Sequence, residues 1–157
     1  MSQGRKFEIV EPRITTRKEF EAERSRWEQL YRADPRGQIF LSWEWLHAYL
    51  RIAGRGWTIL LVRDGETLVA ALPIKVRGVP SALLPIAREL AFLTEPVADY
   101  QGMLCLPGRE NEVVDAFSRA IGRLHWDRAT LRDLHDSRVV DVLERLRSAG
   151  NELAVTG

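Results

Sequence analysis

Apolar residues recur along this chain in two rhythms, and the change from one to the other marks out its elements. Phe20, Trp27, Leu30 and Tyr31 keep the three- and four-residue spacing of one helix face. Thr16-Arg17-Lys18-Glu19 stands just before them and reads as a capping box, in which each end residue satisfies a free backbone N–H near the other. Asp34-Pro35-Arg36-Gly37 ends this helix. Ser42 starts a second one, with Leu46, Tyr49, Leu50 and Ala53 along its inner face and Gly54 placed to close it. The period then shortens to two. Trp57 to Val62 and Thr67 to Val76 are rich in β-branched and large apolar residues, and Asp64-Gly65 between them predicts a hairpin. Pro73 lacks an N–H to donate, which assigns it to an edge or a bulge.

Residues 77–88 read as irregular, Leu90 to Leu93 as a short strand, Glu95 to Asp99 as a loop and Tyr100 to Leu106 as a strand. A third helix carries Val113, Val114, Phe117, Ile121 and Leu124 on one side. Ala129 to Leu134 is a strand. Ser137 is the expected cap of a fourth helix with Val139, Val140, Leu143 and Leu146 inward, closed by Gly150. Short strands are expected at Phe7 to Val10 and from Leu153 to Thr156. The order β-α-α-β-β-(β)-β-α-β-α-β predicts a mixed α/β sheet with helices on its faces, in a single domain over residues 1–157. Stopping at Gly157, just after a strand begins, is expected of a fold incomplete at its C-terminus.

Composition narrows the function classes. Apolar residues make up 45% and charged residues 29% of the 157, which places the chain among folded globular proteins rather than disordered ones. The net charge is +1, and Arg and Lys are interleaved with Asp and Glu, so no basic face for nucleic acid is expected. No run approaches the roughly 20 apolar residues of a membrane span, and the N-terminus lacks the pattern of a signal peptide; membrane insertion is not expected and the expected location is cytoplasmic. Cys105 is the only cysteine and lies in an apolar strand, which suits an inert core residue. His47, His125 and His135 show no metal-ligand spacing, and no metal is expected; His135-Asp136 reads as a polar loop.

The runs FLSWEWLHAYL (40–50), WTILLVRDGETLVAALPIKVRG (57–78) and AFLTEPVADYQGML (91–104) resemble the CelD-like or BioF2-like acetyltransferase proteins of the GNAT superfamily. The features that carry the likeness are Trp43 and Trp45, Leu72-Pro73, and Asp99-Tyr100. The resemblance covers residues 7–157 and implies a GNAT-like acyl-CoA N-acyltransferase fold. Proteins of this kind have two GNAT-like halves and stand beside cellulose and exopolysaccharide synthesis genes. The chain matches the first half, so the implied partner is a missing C-terminal half or another subunit, and the implied small-molecule acceptor is unknown. The complete enzyme would use acetyl-coenzyme A.

The donor loop of a GNAT domain is Arg/Gln-x-x-Gly-x-Gly/Ala leading into a helix, because glycines let backbone N–H groups approach a pyrophosphate. The equivalent stretch here is Pro107-Gly108-Arg109-Glu110-Asn111-Glu112. It has one glycine, and Glu110 and Glu112 stand where phosphates would lie. This chain alone is therefore expected to bind no cofactor. The partial match Arg119-Ala120-Ile121-Gly122 falls inside the third helix and reads as chance. Asp99 and Tyr100 are the candidate catalytic pair, an Asp as base and a Tyr as proton donor, with turn formation and packing as the alternative reading. Trp43 and Trp45 are candidates for lining a substrate groove, with core packing as the alternative. Two functions compete: the acceptor-side half of an acyltransferase, and a non-catalytic binding or scaffold module that retains the fold.

Overall fold

The computed structural model describes residues 13–82 and 86–149. The strands expected at Phe7 to Val10 and Leu153 to Thr156, and Gly150, lie outside them. Strand β1 (Arg13–Ile14) leads into α1 (Arg17–Ala22) and α2 (Arg24–Ala33). A 3-10 turn (Ile39–Leu41) precedes α3 (Trp43–Tyr49). Then come β2 (Trp57–Asp64), β3 (Thr67–Val79), β4 (Ala87–Phe92), β5 (Leu104–Cys105), α4 (Glu110–Gly122), β6 (Arg128–Ala129) and α5 (Ser137–Ser148). The sheet order is β1-β2-β3-β4-β6, with β5 paired to β3. All pairs are antiparallel except β4 with β6. This is a mixed α/β sheet, in the element order implied by the GNAT resemblance.

Local chemistry accounts for most boundaries. The capping box forms: Thr16 Oγ1 accepts from the Glu19 N–H at 3.2 Å, and Glu19 accepts from the Thr16 N–H at 2.9 Å. The first helix nonetheless divides in two at Glu23, which caps α1 and opens α2. The Glu23 carboxylate is engaged by Arg63 of β2. Ser42 caps α3 by accepting from the Trp45 N–H. The hairpin closes with Asp64 opposite Thr67, leaving Gly65-Glu66 as a two-residue loop. Gly65 stands first in it with φ +57°, a conformation a Cβ would oppose.

Three expectations are corrected. Pro73 lies at neither an edge nor the bulge, which falls at Val62/Arg63. It sits inside the central strand β3, opposite Ile59. Its carbonyl accepts from the Leu93 N–H, so its missing N–H points to the same side. On that side β3 changes partner, from β5 at Ala70–Ala71 to β4 at Ile74–Val79, so the one bond Pro73 cannot donate, back to Leu93, falls at the end of the β4 ladder. The irregular segment begins later than expected, because β3 continues to Val79 and β4 starts at Ala87. The cap of α5 is Asp136, whose carboxylate accepts from the Arg138 N–H; Ser137 is the first helical residue.

Alternation along β2 divides two cores. Leu60 and Val62 face α4 and α5, with Leu72, Ile74, Leu90, Phe92, Phe117 and Leu143 among the residues of that layer. Ile59 and Leu61 face α1 to α3, with Phe20, Trp27, Leu30, Leu46 and Leu104. The buried face of α5 is Val139, Val142, Leu143 and Leu146, while Val140 is largely turned outward.

Candidate functional site

The strands expected over 100–106 and 129–134 shrink to two residues each, joined by one isolated bridge between Gln101 and Leu134. Side chains take the place of the ladder. Asp136 Oδ2 accepts from the Met103 N–H at 3.2 Å, and Arg138 Nη2 donates to the Met103 carbonyl at 3.0 Å. The Cys105 N–H donates to Asp34 Oδ2 at 2.9 Å, and the Arg132 N–H to Glu95 Oε1 at 2.7 Å.

Asp34, Asp136 and Arg138 form one buried ion group. Arg138 Nη1 reaches Asp34 Oδ2 at 3.0 Å, while its Nε and Nη2 reach Asp136 at 2.8 and 2.7 Å. Burial alone would disfavour the guanidinium charge, but the two carboxylates, Asp136 first, hold it firmly protonated. The group ties the end of α2 and the start of α5 to β5. Gly102 is where this packing is tightest: a Cβ there would lie 2.7 Å from Asp136 Oδ2.

Beside this group lies an open cavity of about 390 Å³, between the end of α2, the segment before β5 and the start of α5. Its wall includes Arg36, Gln38, Tyr100, Gly102, His135 and Ser137. The Tyr100 and His135 rings stand 5.0 Å apart, and Tyr100 is 49% exposed. Arg36 Nη1 donates to the Ser137 hydroxyl at 3.2 Å. Asp136 also faces the cavity, but both its oxygens are engaged by Arg138 and backbone N–H groups.

Of the four candidate residues, only Tyr100 lines this cavity. Asp99 is exposed next to it and is not part of the wall. Trp43 is 8% exposed and stacks with Phe20 and with His47, with the Arg24 guanidinium 4.3 Å from its ring. Trp45 is half-buried, stacked on Tyr49 and edge-on to Phe40. Arg36, Gln38, His135 and Ser137 escaped the sequence reading as site residues. The signal available was weak: two polar turns, 34–37 and 135–137, each next to a helix end.

The Pro107–Arg109 loop that precedes α4 lies close by, since the positive charges of Arg138 and Arg36 both act on Glu110. Gly108 adopts φ +82°. Its N–H donates to Glu110 Oε1 at 3.1 Å. Bonds from its own backbone N–H and from Gly108 hold the Glu110 carboxyl below its usual range. Glu112 accepts from Arg109 Nε at 2.9 Å, and Arg109 Nη1 approaches Asp64 Oδ2 at 3.4 Å. The Gly108 N–H thus already serves a carboxylate of this chain, and the Arg109 N–H is taken by the Leu106 carbonyl.

Cys105 is 1% exposed, and burial pushes its thiol up to about 12. Among the described residues no group of three His, Cys, Asp or Glu side chains is arranged to hold a metal. No helix among them is long and apolar enough to cross a membrane.

No protein-family model matches this sequence, and no curated protein matches it. Among solved structures, the chain is similar to a transcriptional regulator from Bacillus halodurans C-125, at 14% identity and TM-score 0.50 over 94% of this chain and 96% of that one. It also aligns with the apo aminoglycoside antibiotic 6'-N-acetyltransferase AAC(6')-IG from Acinetobacter haemolyticus, at 13% identity and TM-score 0.43 over 90% of each chain. A tetramutant of the BH1408 protein from Bacillus halodurans aligns at 11% identity and TM-score 0.41, over 89% of this chain and 90% of that one. At these identities the likeness concerns the fold alone.

Proposed function

We propose that this chain is a GNAT-type acyltransferase domain that supplies the acceptor side of an enzyme and does not hold the acyl-coenzyme A donor by itself. The fold assignment rests on the element order and on a mixed sheet in which, among the described residues, β4 runs parallel to β6 and the other strand pairs are antiparallel. The observation that carries the reading is the bond from the Gly108 N–H to Glu110. A pyrophosphate at this loop would need that N–H and would meet two carboxylates, Glu110 and Glu112, in the first turn of α4. The residues present therefore do not fit the donor, and no chemical step is drawn through it. The donor would come with a C-terminal GNAT-like half or another subunit.

The acceptor groove in this reading is the cavity around Tyr100 and His135. Tyr100 keeps its candidate role as proton donor there, because its ring is exposed at the wall. Asp99 would serve only if the exposed segment around it turned inward on assembly. The finer reading, a CelD-like or BioF2-like member tied to polysaccharide synthesis, is supported by the sequence runs at 40–50, 57–78 and 91–104 alone. A second reading, a binding or scaffold module without chemistry, is favoured by one observation: Asp136, the carboxylate on the cavity wall, is consumed by Arg138 and is not free to act as a base.

Calorimetric titration of acetyl-coenzyme A into the folded, monodisperse chain tests the donor-free claim. No heat of binding is expected. Micromolar binding would sink the claim and put the donor site on this chain.

A further inference from the structure

The cavity wall is asymmetric in charge, and the asymmetry points to a ligand class. The carboxylates around it are already bonded within the chain, including Glu110, which the Arg36 charge reaches and which accepts from the Gly108 N–H. Asp34 accepts from Arg138, from the Cys105 N–H and from the Arg36 N–H; Asp136 accepts from Arg138, from its own helix and from Met103. Asp34 is buried behind the wall, and Asp136, which is part of the wall, is only 9% exposed. The Arg36 guanidinium is different. It is exposed, it lines the cavity, and its hydrogen-bond partner there is the uncharged Ser137 hydroxyl. A guanidinium offers five donors in a planar fork, so a single hydroxyl leaves most of them for a ligand.

The buried group also sets where an anion can sit. Two carboxylates around one guanidinium leave one negative charge at the inner wall. An anion is therefore disfavoured deep against Asp136 and favoured outward on Arg36. The rest of the wall suits a different part of the molecule. Tyr100 and His135 present two rings 5.0 Å apart, and a large aromatic side chain is left 49% exposed at Tyr100. Flat or apolar groups stack on such rings.

We infer that this cavity takes a small molecule with one carboxylate or phosphate group on a flat or apolar body, its anion on Arg36 and its body against Tyr100 and His135. The inference names the acceptor class for the groove proposed above and rests on that reading for the groove's role. Its volume, about 390 Å³, lies within the range of small-molecule pockets.

The test uses benzoate and phenyl phosphate as probes and benzylammonium as the control of opposite charge. Binding is followed by amide chemical shifts in the full chain. Benzoate, phenyl phosphate or both should saturably shift the Gln101, Gly102 and Ser137 amides, and benzylammonium should not. Arg36→Gln should weaken the binding by about fivefold, the scale of an exposed charge pair, with amides outside the cavity unmoved. Tyr100→Ala should weaken it as well. The inference is overturned if neither anion shifts these amides saturably, if benzylammonium matches them, or if Arg36→Gln binds as the parent does. No probe carries a thioester, so this outcome is independent of the acetyl-coenzyme A titration. Anion binding together with tight donor binding would keep the cavity and discard the donor-free half.

Discussion

Arg138 Nη1 lies 3.0 Å from Asp34 Oδ2, a contact between residues 104 positions apart that locks the end of α2 to the start of α5. Neither side chain is more than 5% exposed. A buried charge that loses its partner is costly, because the remaining charge cannot recover its hydration.

Arg138→Met should therefore destabilise the fold by about 3–5 kcal/mol, since it leaves Asp34 and Asp136 facing each other without a cation. Arg145→Met, which removes an exposed pair with Asp115 at the far end of the same helix, should cost less than about 1 kcal/mol. Urea denaturation of the two variants checks the contrast. Equal losses would show that the buried group does not organise this corner.

Cys105 should resist modification in the native state. Its thiol is 1% exposed, donates to the Leu106 carbonyl at 3.3 Å, and is pushed up to about 12 by burial, against a smaller opposing pull from Arg138. Thiolate is the reactive form, so at pH 8 almost none is present. A disulfide-exchange reagent should react at pH 8 only as fast as the chain unfolds. Immediate stoichiometric labelling of folded protein would contradict this.

Glu95 should make stability depend on pH in the direction opposite to a surface carboxylate. It is 2% exposed, and its Oε2 lacks a hydrogen-bond partner, with Arg77 Nη2 at 3.7 Å. Burial raises its pKa above 4.5, and the Arg132 N–H, Arg77 and Lys75 offset this only in part. The folded state thus holds the proton more tightly than the unfolded state. Stability from this group is fully present below the unfolded value and is lost as pH rises through the folded one. Glu95→Gln cannot ionise, so its melting temperature relative to the parent should climb between pH 4 and pH 7. A difference that stays flat over this range would show that Glu95 is stably ionised. Glu89 is the contrasting case: burial would raise it too, but hydrogen bonds from Arg77, Arg128 and Thr130 hold it below its usual range.

Much of the fold was legible because it depends on neighbours in the chain. The Thr16 box, the Ser42 cap, the Asp64-Gly65 hairpin and the apolar stripe of α4 all involve residues within a few positions of one another. The start of α5 was harder. Asp136 and Ser137 are both good caps, and only contact with Met103 and Arg138 selects Asp136. The candidate site was legible at Tyr100 alone. Asp99 was read with it as a pair, yet the loop leaves Asp99 outside the wall. Trp43 stands in the second core, stacked with Phe20 and with His47.

By itself, then, the sequence determined the element order, the hairpin, the Thr16 and Ser42 helix starts and the acidic first turn of α4. Those follow from periodicity, turn chemistry and charge at short range. Only the tertiary structure decided that β5 and β6 stop after two residues each, that Asp34, Asp136 and Arg138 meet, and that Arg36, Tyr100 and His135 share one cavity. The physical reason is the same in each case. A buried charge or an unpaired backbone group is satisfied by whatever partner the packing brings near, and packing joins residues that no local pattern connects.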